Sequence, residues 1–524
     1  MSAPEQRDPG MYEGLRDHHR WVLPEVLASQ AAARPDAVFL LTTDGERLTY
    51  GEAARHAARV AGWLAGQGVQ PGDRVAAMLP NNLDFVRLWL GAARLGATLV
   101  PLNTALVGSF LAHPLRNCAA RLVVADRAFH ATIAAAGADG ARIVAPADIA
   151  EAAPYAGPMP AARDIACILY TSGTTGPSKG VLMPHAHCYL FGLGTIDSQS
   201  LTGQDRHYVC LPLFHVNALM MQLYAVMIAG ASAVLRPRFS AGAFVDDLHR
   251  YGITAVNLLG AATAFIFAQP PRDADRGHRL RVIQVAPNPA DHERTWRERF
   301  GVPDVISGFG MTECNIPVYG RMGESRPDTS GFVYDRYFAV EIRDPDSDDP
   351  LPPGTVGEIM VRPHVPFGFM AGYNAMPDKT VEACRNFWFH TGDAGIMDGD
   401  GVIRFVDRLK DCIRRRGENI SSFELEAAMR GMDGVKEVAA FAVPSDVTGA
   451  EEEVMLAIVP LPGAHLTARD VAAYAGRHLP RFAQPRYVEL MDTLPRTPTE
   501  KVQKQVLRQR GVTAAAVDVS AAVA

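Results

Sequence analysis

From residue 22 to residue 110 strand-like and helix-like segments alternate, and that alternation restricts the fold more than any other feature of the chain. DAVFLLTTD (36–44) and RLTYGE (47–52) read as a hairpin, and AARHAARVAGWLAGQG (53–68) has helical spacing. PGDRVAAMLPN (71–81) reads as turn then strand, and FVRLWLGAARLGATLVPLN (85–103) as helix, glycine-containing turn and strand. Strands separated by helices must lie parallel, in a sheet covered on both faces. The pattern returns at 119–137, at HYVCLPLF (207–214) and at GITAVNLLG (252–260). At 524 residues the chain exceeds one ordinary core, so several domains or subdomains are expected.

The pattern changes near residue 330. YFAVEIRDPDSDDPLPPGTVGEIMVRP (337–363) consists of short strands about a Pro/Asp/Gly turn, which predicts a β-rich subdomain over about 330–408. A boundary falls near FVDRLKD (405–411), followed by a cap-like Ser421-Ser422, a helix and a strand. The expected class is α/β: a large N-terminal domain over 1–408 and a small mobile α+β domain over 409–524. The tail TAAAVDVSAAVA (513–524) carries no pattern and is expected to fray.

Composition narrows the function. With 51 basic and 57 acidic residues, the net charge of −6 offers no basic field for nucleic acid. Seven scattered cysteines show neither C-x-x-C pairs nor metal spacing, which favours reduced thiols. The polar N-terminus has no apolar signal region, and no run reaches the ~18 apolar residues of a membrane span. A cytoplasmic enzyme is expected.

YTSGTTGPSKG (170–180) holds three glycines, five Ser/Thr hydroxyls, one lysine and no carboxylate. Such a loop suits a polyphosphate, although the same residue types also build ordinary surface loops. It departs from the Walker pattern, because Gly180 stands where the magnesium-binding hydroxyl should follow Lys179. A metal ligand must therefore come from elsewhere.

Four more stretches share this chemistry: LPLFHVNA (211–218), SGFGMTE (307–313), WFHTGD (388–393) and RTPTEKVQK (496–504). Singly, each has a plain structural reading. Together and in this order, with FVDRLKDCIRRRGENISSFELE, they resemble the acyl-adenylate-forming superfamily of AMP-binding enzymes over about residues 25–510. That superfamily includes acyl-CoA synthetases, nonribosomal-peptide adenylation domains and firefly luciferases.

The resemblance implies roles. Thr171, Ser172, Gly173, Thr174, Thr175 and Lys179 would hold the β- and γ-phosphates of ATP, and Glu313 would bind Mg²⁺. Thr312 would contact the α-phosphate, flanked by Gly310 and Met311. Phe309, Ala286 and Pro287 would cover the adenine. Asp393 would take the ribose hydroxyls, helped by Arg408. Lys501 would bridge the substrate carboxylate and the α-phosphate. His215, Asn217, Gly308 and Cys314 would face the acyl group, Arg416 and Gly417 the coenzyme A, and Lys410 would be the hinge between two domain orientations.

His215 stands where amino-acid-activating domains usually carry aspartate, which disfavours an α-amino acid. IRRRGENIS (413–421) resembles carnitine- and dicarboxylate-type CoA ligases, and its arginines would suit CoA phosphates. Asn217, Asn288 and Asn315 hint at a polar acid, since buried amides want partners, although they could equally bond to backbone. Two departures stand out: QVAPNPA (284–290) replaces a glycine-rich turn, and Glu500 replaces the usual glycine before the lysine.

The implied partners are a small or medium polar or aryl acid, ATP, Mg²⁺ and, as thiol acceptor, coenzyme A. The alternative is a stand-alone adenylating enzyme serving a carrier protein or a nitrogen nucleophile, including nitrite-activating diazotase-type chemistry. A non-catalytic nucleotide sensor is disfavoured by Lys501, Glu313 and Asp393.

Overall fold

The structure, a computed structural model, describes residues 10–137, 141–149, 152–171, 178–409, 411, 413–415, 418–420, 422–445, 452–479, 483–497 and 500–519. Most predicted elements form, although the helix read at 53–68 starts at Tyr50, inside the segment read as the second hairpin strand, and the strand at HYVCLPLF ends at Val209. Val38–Thr42 and Arg47–Thr49 pair antiparallel. The helix Tyr50–Gly66 opens on a capping box between Thr49 and Glu52, and Leu83–Leu95 is capped by Asn82 and closed by left-handed Gly96.

The described strands build two seven-stranded sheets with parallel centres. In one, Thr98–Pro101 and Arg74–Met78 lie between Ile165–Thr171 and Leu122–Ala125. In the other, Arg206–Val209, Ala255–Leu259, Val282–Ala286 and Asp304–Ile306 run parallel side by side. Alternate residues of each strand feed opposite faces. Leu99, Val75 and Val124 of the first sheet and Val209, Ala233 and Leu235 of the second enter one shared core. The helix His185–Gln199 belongs to that core, and every residue of it but Asp197 is buried.

A third seven-stranded sheet is antiparallel and begins at Gly308–Met311, upstream of the expected start near 330. The reason is local: Gly308–Met311 folds straight back on Asn315–Tyr319, so the β-rich region incorporates the SGFGMTE stretch. After residue 411 the chain forms a four-stranded sheet covered on both faces. Val438, Ala440 and Ala442 pack toward Leu425 and Val471, while Ala439, Phe441 and Val443 pack toward Leu507. The tail departs from expectation. Val517–Asp518 adds an antiparallel edge strand to Tyr487–Leu490, and Val519 is buried. Too short to show a pattern, it is held by free backbone groups at the sheet edge.

Candidate functional site

Ile165–Thr171 and Lys179–Pro184 form an antiparallel hairpin in which Thr171 faces Lys179. The hydroxyl-rich stretch thus connects two strands, whereas a Walker loop connects a strand to a helix. Ser172, Gly173, Thr174 and Thr175 lie outside the described residues, as do Lys410, Arg416 and Gly417.

Lys179 Nζ lies 4.1 Å from the centre of the Tyr373 ring, and the Tyr373 hydroxyl donates to Glu313 Oε1 over 3.0 Å. Glu313 is buried, and burial followed by the neighbouring carboxylate raises the Tyr373 pKa. Thr380 Oγ1 accepts from the Tyr373 backbone N–H at 2.9 Å and fixes the ring's origin. A single aromatic residue therefore links the lysine of the hairpin to the carboxylate of SGFGMTE. Tyr373 carried no signal in the sequence, because both partners are remote in the chain.

The turn holding Thr312 and Glu313 is tied down from beneath. His187, fully buried in the core helix, places Nε2 at 2.8 Å from Thr312 O and Nδ1 at 2.9 Å from Gly368 O. Burial lowers its pKa to about 4. Gly310 answers to the hairpin's closeness: a Cβ there would stand 2.1 Å from Asn315 O. Phe309 stacks on Phe405, with ring centres 6.2 Å apart.

Asp393 and Arg408 face each other across two antiparallel strands and form an ion pair of 2.8 Å. The Asp393 side chain is buried, while that of Arg408 is 41% exposed, so the pair opens on the cleft. Lys501, from the C-terminal domain, comes to the same place. Its pKa is lowered by partial desolvation and then by Arg408, with Asp393 opposing. His215 also feels the Lys501 charge. Crowding by protein, and then that charge, lower the His215 pKa to about 4, although the residue has an exposed edge.

Sheet topology explains the convergence. Four adjacent parallel strands deliver, at or beyond their carboxyl ends, His215 and Asn217, Leu259 and Gly260, Ala286 and Pro287, and Gly308 and Phe309. Ligands of open α/β sheets bind at such an edge. Ala286, Pro287 and Leu259 are exposed there.

Four expectations need correction. Cys314 is fully buried with its thiol pKa raised by burial, so it does not line the acyl cleft. Asn315 is also fully buried and donates to His187 O at 3.0 Å. Asn288 donates to Glu293 at 2.8 Å. Both amides have a partner in the protein, which weakens them as hints of a polar acid, although Asn288 Oδ1 is buried without a partner among the described residues. The fourth is Arg415: it pairs with buried Glu453 at 2.6 Å and donates to Gln484 O, so the small domain's own carboxylate uses it.

Glu500 also becomes intelligible. Its φ is +63°, the left-handed region that glycine occupies without steric cost. Its carboxylate is exposed and lies 3.8 Å from Arg496, which also bonds to its carbonyl oxygen. The Lys501 N–H donates to Thr497 Oγ1 at 3.1 Å, and the Thr497 N–H donates to Lys501 O at 2.8 Å, so the loop presents the lysine from a closed turn.

Residues 27–374 match the model of the AMP-binding enzyme family, and residues 424–501 that of the AMP-binding enzyme C-terminal domain. The chain belongs to the AMP-binding enzyme family. A feruloyl-CoA synthase of Amycolatopsis is 34% identical over 89% of this chain and 94% of that protein. A crotonobetaine/carnitine–CoA ligase of Escherichia coli O157:H7 is 30% identical over 88% and 93%. ATP-bound MatB from Rhodopseudomonas palustris superposes with a TM-score of 0.84 at 29% identity, over 93% of this chain and 98% of that one. The chain is accordingly an enzyme, an acid–thiol ligase of the AMP-forming kind. No helix of the described residues is long and apolar enough to cross a membrane.

Proposed function

We propose that this enzyme joins a small or medium polar or aryl carboxylic acid to coenzyme A through an acyl-adenylate, working in the cytoplasm. The observation that carries the proposal is that Lys501 lies near enough to Arg408, Asp393 and His215 for its charge to act on them, which sets the C-terminal lysine beside the Asp393–Arg408 pair and the His215 turn. The matching of both family models and the similarity to named CoA ligases add support.

A carboxylate oxygen attacks the α-phosphorus of ATP, the new O–P bond forms and pyrophosphate leaves. Two anions must approach, so positive charge is needed where charge builds on phosphorus. The Lys501 ammonium supplies it between the carboxylate and the α-phosphate, while Lys179 holds the outgoing phosphates. Asp393, an acceptor when ionised, takes the ribose hydroxyls beside Arg408. Phe309 and the Ala286–Pro287 turn flank the adenine, and His215 borders the acyl group. In the second step a thiol attacks the acyl carbon and AMP leaves. Lys501 has no further task there, which fits rotation of the small domain about Lys410 to admit the pantetheine arm past Gly417.

The residues present fit a magnesium ion. Among the described residues no cluster of three or more His, Cys, Asp or Glu could hold a metal. A site with one protein carboxylate, completed by phosphate oxygens and water, suits this ion. Glu313 supplies that carboxylate, and its second oxygen is not engaged by Tyr373. When bound, the ion offsets phosphate charge.

Pyrophosphate release over a panel of carboxylic acids, with and without CoA, tests the reading. Acid-dependent pyrophosphate followed by CoA-dependent AMP supports it. AMP release that ignores CoA but needs a carrier protein or an amine would transfer the enzyme to the alternative acceptor.

A further inference from the structure

Beneath the acyl side of the cleft lies a connected set of buried amides that the reaction does not use. Gln199, His207, Gln222 and Asn257 are fully buried, and Gln284 is 5% exposed. Gln199 Nε2 donates to Asn257 Oδ1 at 2.7 Å and to Gln284 Oε1 at 3.0 Å. Its own oxygen lies 3.3 Å from His207 Nε2. Asn217 Oδ1 accepts twice, from Gln222 Nε2 at 2.9 Å and from Asn257 Nδ2 at 3.3 Å.

The polarity of this set is one-sided. The oxygens of Asn217 and Gln284 are consumed inside the network. Their amide nitrogens have no protein partner among the described residues, and neither is sealed from solvent. Gln284 Nε2 lies directly below Gly308, where a Cβ would approach it to 3.1 Å. The φ of Gly308 does not demand glycine; a Cβ there would also stand 3.2 Å from Val318 O, and its absence leaves the amide uncovered on that side. Asn217 opens an eight-residue π-helical stretch, Asn217–Tyr224, a distortion often found where a helix serves a site.

We propose that Asn217 and Gln284 form a donor-only subsite for a hydrogen-bond-accepting oxygen at the far end of the acid. A carbonyl or carboxamide oxygen meets the two NH₂ groups without bringing an uncompensated charge below the cleft. An amine or ammonium in that place would confront donors with donors. A plain hydrocarbon tail would strip water from both amides and return nothing. The inference rests on the ligase reading and narrows its substrate class.

The test measures kcat/KM for pyrophosphate release with two matched series, 4-oxopentanoate, pentanoate and 4-aminopentanoate, and 4-acetylbenzoate, 4-ethylbenzoate and 4-(1-aminoethyl)benzoate. In at least one series the oxo member should exceed the hydrocarbon by about tenfold, the discrimination that a pair of neutral hydrogen bonds supplies. The amino member should be the poorest. Gln284→Glu keeps the acceptor for Gln199 and replaces the free donor by an acceptor, so it should erase the oxo preference and raise the amino member. Because that variant introduces a buried carboxylate, the wild-type ranking decides independently of it. Equal rates within both series, or a hydrocarbon or amino member ranked first, overturns the subsite and leaves the ligase reading standing. If no acid of any class releases pyrophosphate, the ligase reading falls and takes this inference with it.

Discussion

Tyr373→Phe separates the two tasks of a residue that touches both charged groups on the phosphate side of the cleft. The substitution removes the hydroxyl that donates over 3.0 Å to Glu313 Oε1 and keeps the ring 4.1 Å from Lys179 Nζ. A hydrogen bond to a charged acceptor contributes about 1.5–3 kcal/mol, and loss of a group that orients a metal ligand typically costs about 10–100-fold in metal affinity or activity. The ring's attraction for the lysine, about 0.5–2 kcal/mol, survives in Tyr373→Phe and is lost in Tyr373→Leu. The expected result is a rise of about 10–100-fold in the free Mg²⁺ needed for half-maximal pyrophosphate release by Tyr373→Phe. Its maximal rate should return near wild type at high Mg²⁺, with the apparent KM for ATP little changed. Tyr373→Leu should add a higher KM for ATP that Mg²⁺ does not rescue. The assay titrates Mg²⁺ at fixed free ATP, and Mg²⁺ binding followed by calorimetry in the presence of a non-hydrolysable ATP analogue gives a readout apart from turnover. An unchanged Mg²⁺ requirement in Tyr373→Phe, or a loss of rate that excess Mg²⁺ leaves untouched, would refute the orienting role.

Asp393→Ala should raise the KM for ATP and reduce the enzyme's discrimination between ATP and 2′-deoxy-ATP; steady-state kinetics with both nucleotides decides it. Lys501→Ala should slow acid-dependent pyrophosphate release by about 10²–10³-fold, yet transfer from synthetic acyl-AMP to CoA should persist. The charged form of Lys501 is the active one and its pKa is lowered, so adenylation should fall as pH rises through a value below the ordinary ~10.4 of lysine. Lys501→Arg should lack that alkaline limb. At Glu500, where φ is +63° and the N–H donates to Thr497 O, Glu500→Gly should adenylate normally. Glu500→Pro, locked near φ −65° and without the N–H, should displace Lys501 and lose adenylation while thioester formation from acyl-AMP continues.

Much of the fold was legible because its signals are local. The alternation from 36 to 103 follows from apolar periodicity and from caps such as Thr49 and Asn82, all set by neighbours a few residues away. The site motifs were legible for a related reason: Asp393 follows a tight turn, and SGFGMTE folds directly into a hairpin, so each shapes its own backbone. Partners brought from afar were not legible. Tyr373 and His187 act on Glu313 and Thr312 across the whole domain, and nothing near either residue marks it. The three arginines at 414–416 read as suited to CoA phosphates until Glu453 is seen to engage Arg415.

Amides show where composition stops informing chemistry. Asn217, Asn288 and Asn315 looked equivalent in the sequence, yet their surroundings divide them. Asn315 is fully buried against His187, and Asn288 gives its NH₂ to Glu293 and keeps only a buried oxygen. Asn217 differs because one of its atoms is taken twice by the protein and the other not at all. An amide carries a donor and an acceptor on the same carbon, so fixing its oxygen inside a network also fixes which chemistry it shows outward. Gln284 is oriented the same way by Gln199, whose oxygen lies 3.3 Å from His207 Nε2. A preference that reaches the cleft at two atoms is thereby determined by residues that never touch substrate. Changes at Gln199 or His207 should alter which acid is chosen while leaving ATP, Lys501 and the adenylation chemistry where they are.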